Sequence, residues 1–281
     1  MNLHSLILKR TWDKVAETYN MDVSVGEIEL SKEILEILKS LKISKKSKFI
    51  EAGSGSGHLS GLIAKKGYDT TLLDISDKAL AKSKKFFSNQ KITGTFIEAD
   101  LLNLSKQKIP TYDVVWNSGV MEHFNNHELY EIFSGLKRIA RKYLLIIVPN
   151  PESVPYLLFR FKLMRNKLWS FGTEYLRNDY EKYANHAGFE LVKKEYLGWT
   201  FVNYFIDNVF GSTAESGYFK EMVKAGLLPS DQAYLVLYLF KKQGFKVKEI
   251  RNRKPKEEIF TNPETLTQRF DRLATLKKIV S

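Results

Sequence analysis

The 281-residue sequence contains no cysteine. Disulfides, thiolate metal sites and a cysteine nucleophile are therefore excluded. Proline is scarce, at 7 residues, and glycine numbers 16, so a collagen-like or low-complexity chain is excluded too. No uninterrupted apolar stretch approaches the roughly 20 residues that a membrane-spanning helix needs. Near the N-terminus, "SLILKR" has only a short apolar run before two cations, too little for a secretory signal. A Gly-Lys-Ser/Thr triphosphate loop is also missing. These absences predict a soluble, cytoplasmic protein.

What is present is ordinary globular composition, 43% hydrophobic and 27% charged, enough for one large domain with a full core. The formal net charge is +12 and unevenly placed: Lys241 to Ser281 holds 12 Lys or Arg against 5 Asp or Glu. Such a tail reads either as a patch for nucleic acid, anionic lipid or a phosphorylated substrate, or as a solvated lysine-rich surface. Its few aromatics (Phe245, Phe260, Phe270) give little support to base stacking.

Apolar periodicity alternates along the chain. "LSKEILEILKSLK" places Ile34, Leu35, Leu38 and Leu41 on one helical face. Strand-like runs "KFIEA", "DTTLLD", "TGTFIEAD", "YDVVWNS" and "YLLIIVPN" alternate with helical ones, and Ser76 stands as a helix N-cap. Later come a helix stopped at Gly188, a strand after it, and "AYLVLYLFKK". This pattern predicts an α/β fold with a mostly parallel, seven-stranded, doubly wound Rossmann-like sheet and helices on both faces. Two aromatic-rich insertions, about 153–172 and 199–232, break the alternation and predict either a helical cap or an extension of the core. Residues 1–241 are expected to form one domain and 242–281 a basic C-terminal extension.

The first strand runs into "EAGSGSGHLS", with glycine at 53, 55 and 57. Something must approach this backbone closely. Neither register gives the Gly-x-Gly-x-x-Gly of a dinucleotide site, because His58 or Ser60 takes the third position. What fits is Glu51-x-Gly53-x-Gly55-x-Gly57. Further along are Asp74 closing "LLD", Asp100 in "FIEADLL", and "YDVVWNSGVMEHF". With the "WDxxAxxY" of Trp12 to Tyr19, the chain resembles the class I S-adenosylmethionine-dependent methyltransferases over roughly Thr11 to Pro149.

The resemblance implies S-adenosylmethionine as cofactor, S-adenosylhomocysteine as product, and a set of contacts. Glu51 would face the cationic end of the cofactor, and Ala52, Gly53, Gly55 and Gly57 would line its methionine and ribose. A helix start near Ser56 would offer N–H groups to its carboxylate. Asp74, with Ile75 beside it, would accept both ribose hydroxyls, as a carboxylate can. Asp100 would accept from the adenine amino group, with the Leu101 backbone at the ring. Asn117 and Ser118 would flank the methionine moiety, and Tyr19 would close over the cofactor.

His123, just past the fourth strand, is the candidate catalytic base; alternatively, Glu122 and His123 anchor the strand-to-helix turn. No metal site is expected. The missing cysteine excludes the usual covalent route to C5 pyrimidine methylation. "NSGV" replaces the Asn/Asp-Pro-Pro-aromatic motif of base-amine methylation. A small-molecule O or N acceptor is therefore expected, for instance a sugar or lipid-linked intermediate. The alternative is a methyltransferase-fold binding module that engages RNA or a membrane through the basic tail.

Overall fold

The computed structural model describes residues 3–245, so the extension expected at 242–281 lies outside the described residues from 246 onward. Two helices come first, α1 (Leu3–Glu17) and α2 (Val25–Ser40). Ser24 starts α2 with a capping box: its side chain accepts from Glu27 N, and Glu27 reaches back to the cap backbone. The strands and helices then alternate: β1 (Lys48–Ala52), α3 (His58–Ala64), β2 (Asp69–Asp74), α4 (Asp77–Asn89), β3 (Thr95–Glu98), β4 (Tyr112–Ser118), α5 (Asn126–Ile139) and β5 (Ala140–Pro149). Ser76 caps α4 by accepting from Ala79 N. The later part holds α6 (Val154–Arg165), α7 (Glu181–Ala187), β6 (Phe189–Leu197), α8 (Trp199–Phe210), α9 (Ala214–Lys224) and β7 (Leu235–Lys242).

The strands form one seven-stranded sheet in the order β3-β2-β1-β4-β5-β7-β6. The pairs from β3 to β5 are parallel, and β7 lies antiparallel between β5 and β6. Strand alternation sends neighbouring residues to opposite faces. Leu73, Ile50 and Val115 pack with Leu129, Ile132 and Phe133 of α5 and Tyr183 of α7. Leu72 instead packs with Leu80, Phe86 and Phe87 of α4. Helices thus cover the sheet from two sides, as the continuous apolar strands require.

Two features of this topology build a site. The strand order reverses between β1 and β4, and a ligand crevice in open α/β sheets opens at such a switch point, beyond the carboxyl ends of the strands. Because β7 runs antiparallel, its amino end at Leu235 pairs with Pro149 at the carboxyl end of β5. Tyr234 and Leu235 therefore join the same edge of the sheet as Glu51 and Asp74.

Both insertions are helical: α6 packs on α8, and α8 packs on α9 and α2. Gly57, at φ +74, holds the turn into α3; a Cβ there would lie 2.7 Å from both Leu72 Cδ2 and Ser83 Oγ. Gly57→Ala is expected to cost about 2–4 kcal/mol, combining left-handed strain with overpacking. Chemical denaturation measures this, and a loss near zero would contradict the packing argument.

Candidate active site

The crevice is a cavity of about 380 Å³. Its wall includes Tyr19, Glu51, Gly53, Gly55, Asp74, Ile75, Asp100, Leu101 and Ser118, nine of the residues expected from sequence. Ala52, Gly57, Asn117 and His123 do not line it. Ala52 points with Ile50 into the α5 side of the core. Gly57 is occupied by its packing on Leu72 and Ser83. Asn117 is fully buried, and neither of its amide atoms has a hydrogen-bond partner.

The glycine loop closes on its own backbone neighbours. Gly53 N and Ser54 N both donate to Leu73 O, at 2.7 and 3.0 Å, and Gly57 N donates to Ser54 O at 2.8 Å. Gly55 N donates to Asp74 Oδ2 at 2.9 Å. Helix α3 begins at His58, two residues after the expected start. Backbone shape is what the loop contributes. At Gly53, φ is +83, and a Cβ would stand 2.7 Å from Val120 Cγ2.

Asp74 ties the loop to the next turn, since its Oδ1 accepts from Ser76 N at 2.9 Å. Burial raises its pKa against the pull of these backbone bonds. The Ile75 backbone is a third donor to the carboxylate, which with about four acceptor sites can still accept from a ligand hydroxyl. Glu51 is 3% exposed, and its Oε2 has no hydrogen-bond partner. Burial, together with the charge of Asp74, pushes its carboxyl up to about 8. Hydrogen bonding from Ser60 pulls the other way, and the unpartnered Oε2 can meet a donor or a cation. Two carboxyls on one wall fit a ligand that carries hydroxyls and a cationic group.

Asp100 is already engaged. Its Oδ2 accepts from Ser5 Oγ at 2.5 Å and Asn103 Nδ2 at 2.6 Å, and its Oδ1 from Leu102 N at 3.0 Å. Its carboxylate thereby holds α1 to the loop after β3. Other bonds fasten the same helix: Lys9 Nζ to Ile75 O at 3.1 Å, and Ser76 Oγ to Asp13 Oδ1 at 2.6 Å. Leu8 and Trp12 of α1 line the cavity, so this helix is part of its wall.

His123 contacts that wall, its ring edge-on to Trp12 at 4.8 Å. Its Nδ1 is 3.0 Å from the carbonyl of Thr173 and must carry the proton, since a carbonyl only accepts. Burial lowers its pKa to about 4, so the ring is neutral at physiological pH. Sequence reasoning missed its surroundings. Glu122, His123 and Glu174 bring one ligand-type atom each within 4.8 Å of one another. Burial raises the Glu122 carboxyl well above its ordinary value. Glu174 is committed elsewhere, accepting from Tyr156 Oη at 2.5 Å and pairing with Arg160 Nε at 3.2 Å. Only the neighbouring "EH" of this group was legible locally, because Glu174 lies 51 residues beyond His123.

Residues 49–142 match the model of a family described as methyltransferase domain. That third of the chain carries the sequence of a methyltransferase domain. Solved structures agree in fold. The magnesium protoporphyrin IX methyltransferase of Synechocystis, with bound SAH, superposes with a TM-score of 0.58 at 17% identity, covering 85% of this chain and 99% of that one. An S-adenosylmethionine-dependent methyltransferase from Clostridium acetobutylicum gives 0.53 at 13% identity, covering 86% and 100%. No curated protein matches the chain significantly in sequence. The methyltransferase domain's matched segment runs from β1 into β5, and so contains Glu51, Asp74 and Asp100 but neither α1 nor the aromatic insertions.

Proposed function

We propose that this protein transfers a methyl group from S-adenosylmethionine to an oxygen or nitrogen of a small-molecule acceptor. The observation that carries the reading is the composition of the cavity along the sheet edge. Polar Asp74 lies at β2 on one side, Phe201, Tyr234 and Leu235 lie toward β7 on the other, and Phe171 adds a further aromatic to the wall. The Asp74 carboxylate would hold the ribose hydroxyls, and Glu51 the cofactor's ammonium group. The bound cofactor supplies an already activated methyl group, so the protein's task is alignment more than activation. The aromatic side chains would orient a compact acceptor and exclude water from it.

The His123 ring is neutral, does not line the cavity, and directs its Nδ1 proton at Thr173. The geometry favours a structural role, holding the turn after β4 to the segment after α6.

Calorimetry should give saturable binding of both S-adenosylmethionine and S-adenosylhomocysteine at one site per chain. Labelled methyl transfer should then appear in a small-molecule fraction. Binding of neither ligand would refute the reading of the cavity, and label found only on RNA or protein would refute the acceptor class.

A further inference from the structure

Helix α6 buries one face and leaves an apolar face outside. Tyr156 is buried, and Phe159 stacks on Phe205 of α8 at 4.7 Å. Opposite them, Val154, Leu158, Phe161 and Met164 recur at spacings of four, three and three and are all exposed. Phe161 is 64% exposed and Leu168, in the following turn, 65%. A helix apolar on both faces is normally enclosed by protein or lipid, and the described residues supply cover for only one face.

The charges identify what would cover the other. Residues 153–172 contain Arg160, Lys162, Arg165 and Lys167 and no acidic residue. Arg160 turns inward to Glu174, whereas Lys162, Arg165 and Lys167 are exposed beside the apolar row. Lys162 also donates to the carbonyl of Asn208. Long cationic side chains flanking an outward apolar row suit an anionic lipid surface: the apolar groups enter the acyl boundary and the cations reach the head groups. A second copy of this face would set cation against cation across a two-fold axis, which disfavours self-association there. Phe171 belongs both to the exposed surface and to the cavity wall.

We propose that the outer face of α6 and the turn after it dock on an anionic bilayer surface, with the rim of the cavity at Phe171 toward the lipid. Docking itself does not depend on the methyl-transfer reading, because vesicle binding is measured without cofactor.

The test is co-sedimentation of the full chain with phosphatidylcholine vesicles containing phosphatidylglycerol, against phosphatidylcholine alone. The wild type should bind the mixed vesicles and release as salt rises. The double variant Phe161→Asp, Leu168→Asp should bind at least about tenfold more weakly with its melting curve intact. Arg165→Ala with Lys167→Ala should lose about tenfold on mixed vesicles only. If the aspartate pair fails to fold, Phe161→Ser with Leu168→Ser carries the same test. The proposal is overturned if the wild type does not bind. It is also overturned if the face variants bind like wild type, which would move lipid contact to the basic tail. A dimer lost in the aspartate variant while vesicle binding persists would likewise overturn it, making the face an interface between copies.

Discussion

Asp74→Ala is expected to weaken S-adenosylmethionine binding by about 100-fold or more. A charged acceptor contributes about 1.5–3 kcal/mol for each hydrogen bond it receives, and two ribose hydroxyls would be affected together. The alanine also leaves Gly55 N and Ser76 N without the acceptor they use at 2.9 Å, so the turn itself loosens. Asp74→Asn separates these effects. It retains one carbonyl oxygen for the backbone, loses the charge, and should lie between wild type and alanine in affinity with a smaller fall in melting temperature. Titration calorimetry reads the affinity, and a value for Asp74→Ala within about threefold of wild type would sink the assignment of Asp74 to the ribose.

The parts of this site that lie next to one another in sequence were legible before the structure. A strand that runs into Glu51 and three glycines, and another that ends on Asp74, carry their chemistry within a few residues of a predictable strand end. Rossmann-like alternation, the strands and the Ser76 cap were readable for the same reason. Pairings across long separations were not. The antiparallel insertion of β7 between β5 and β6 depends on hydrogen bonds between Leu144 and Phe240, and nothing in either strand's own pattern states it. It matters, because it delivers Tyr234 and Leu235 to the cavity. Asp100 shows the same limit: it lines the cavity, and the partners that reach its carboxylate include Ser5, 95 residues away in the sequence. The residues of the glycine loop are legible in the sequence, whereas its hydrogen bonds to Leu73 and Asp74 join it to a strand some twenty residues on and are not.

His123 shows where sequence position and geometry part. A histidine just past the fourth strand has the right chemistry for a base; burial keeps it neutral, its ring meets Trp12 edge-on, and it is not among the residues that line the cavity. The buried group of Glu122, Glu174, Tyr156 and Arg160 behind it is assembled from three segments. Its evident work is to fix the segment carrying Phe171, since Tyr175 N donates to Glu122 O at 2.7 Å and Arg160 pairs with Glu174. Rigid placement of that aromatic wall suits a reaction that depends on alignment.

Glu51→Gln should have opposite effects on binding and stability. In the free protein the carboxyl titrates at about 8, because burial penalises its charge. Unfolding returns it to an ordinary carboxylate value near 4.3, so between these pH values the folded chain binds more protons than the unfolded one. Folding stability attributable to this group is therefore full below the unfolded pKa and declines as pH rises toward 8. An uncharged glutamine escapes that decline, and the variant should be more stable than wild type above neutral pH, by about 1–3 kcal/mol. Its melting advantage should shrink as pH falls toward 5. The cationic cofactor demands the reverse, because its ammonium group favours the ionised carboxylate. Wild-type affinity should therefore rise with pH up to about 8 and then level off, with proton release on binding at pH 7. Glu51→Gln should lose both the pH dependence and about 100-fold in affinity, since the buried site keeps no charge to meet the ammonium group. Calorimetry in buffers of different ionisation enthalpy measures the released proton directly. A variant that binds as tightly as wild type, or a wild type that takes up a proton instead, would show that Glu51 is a structural acid and not the cofactor's counter-charge.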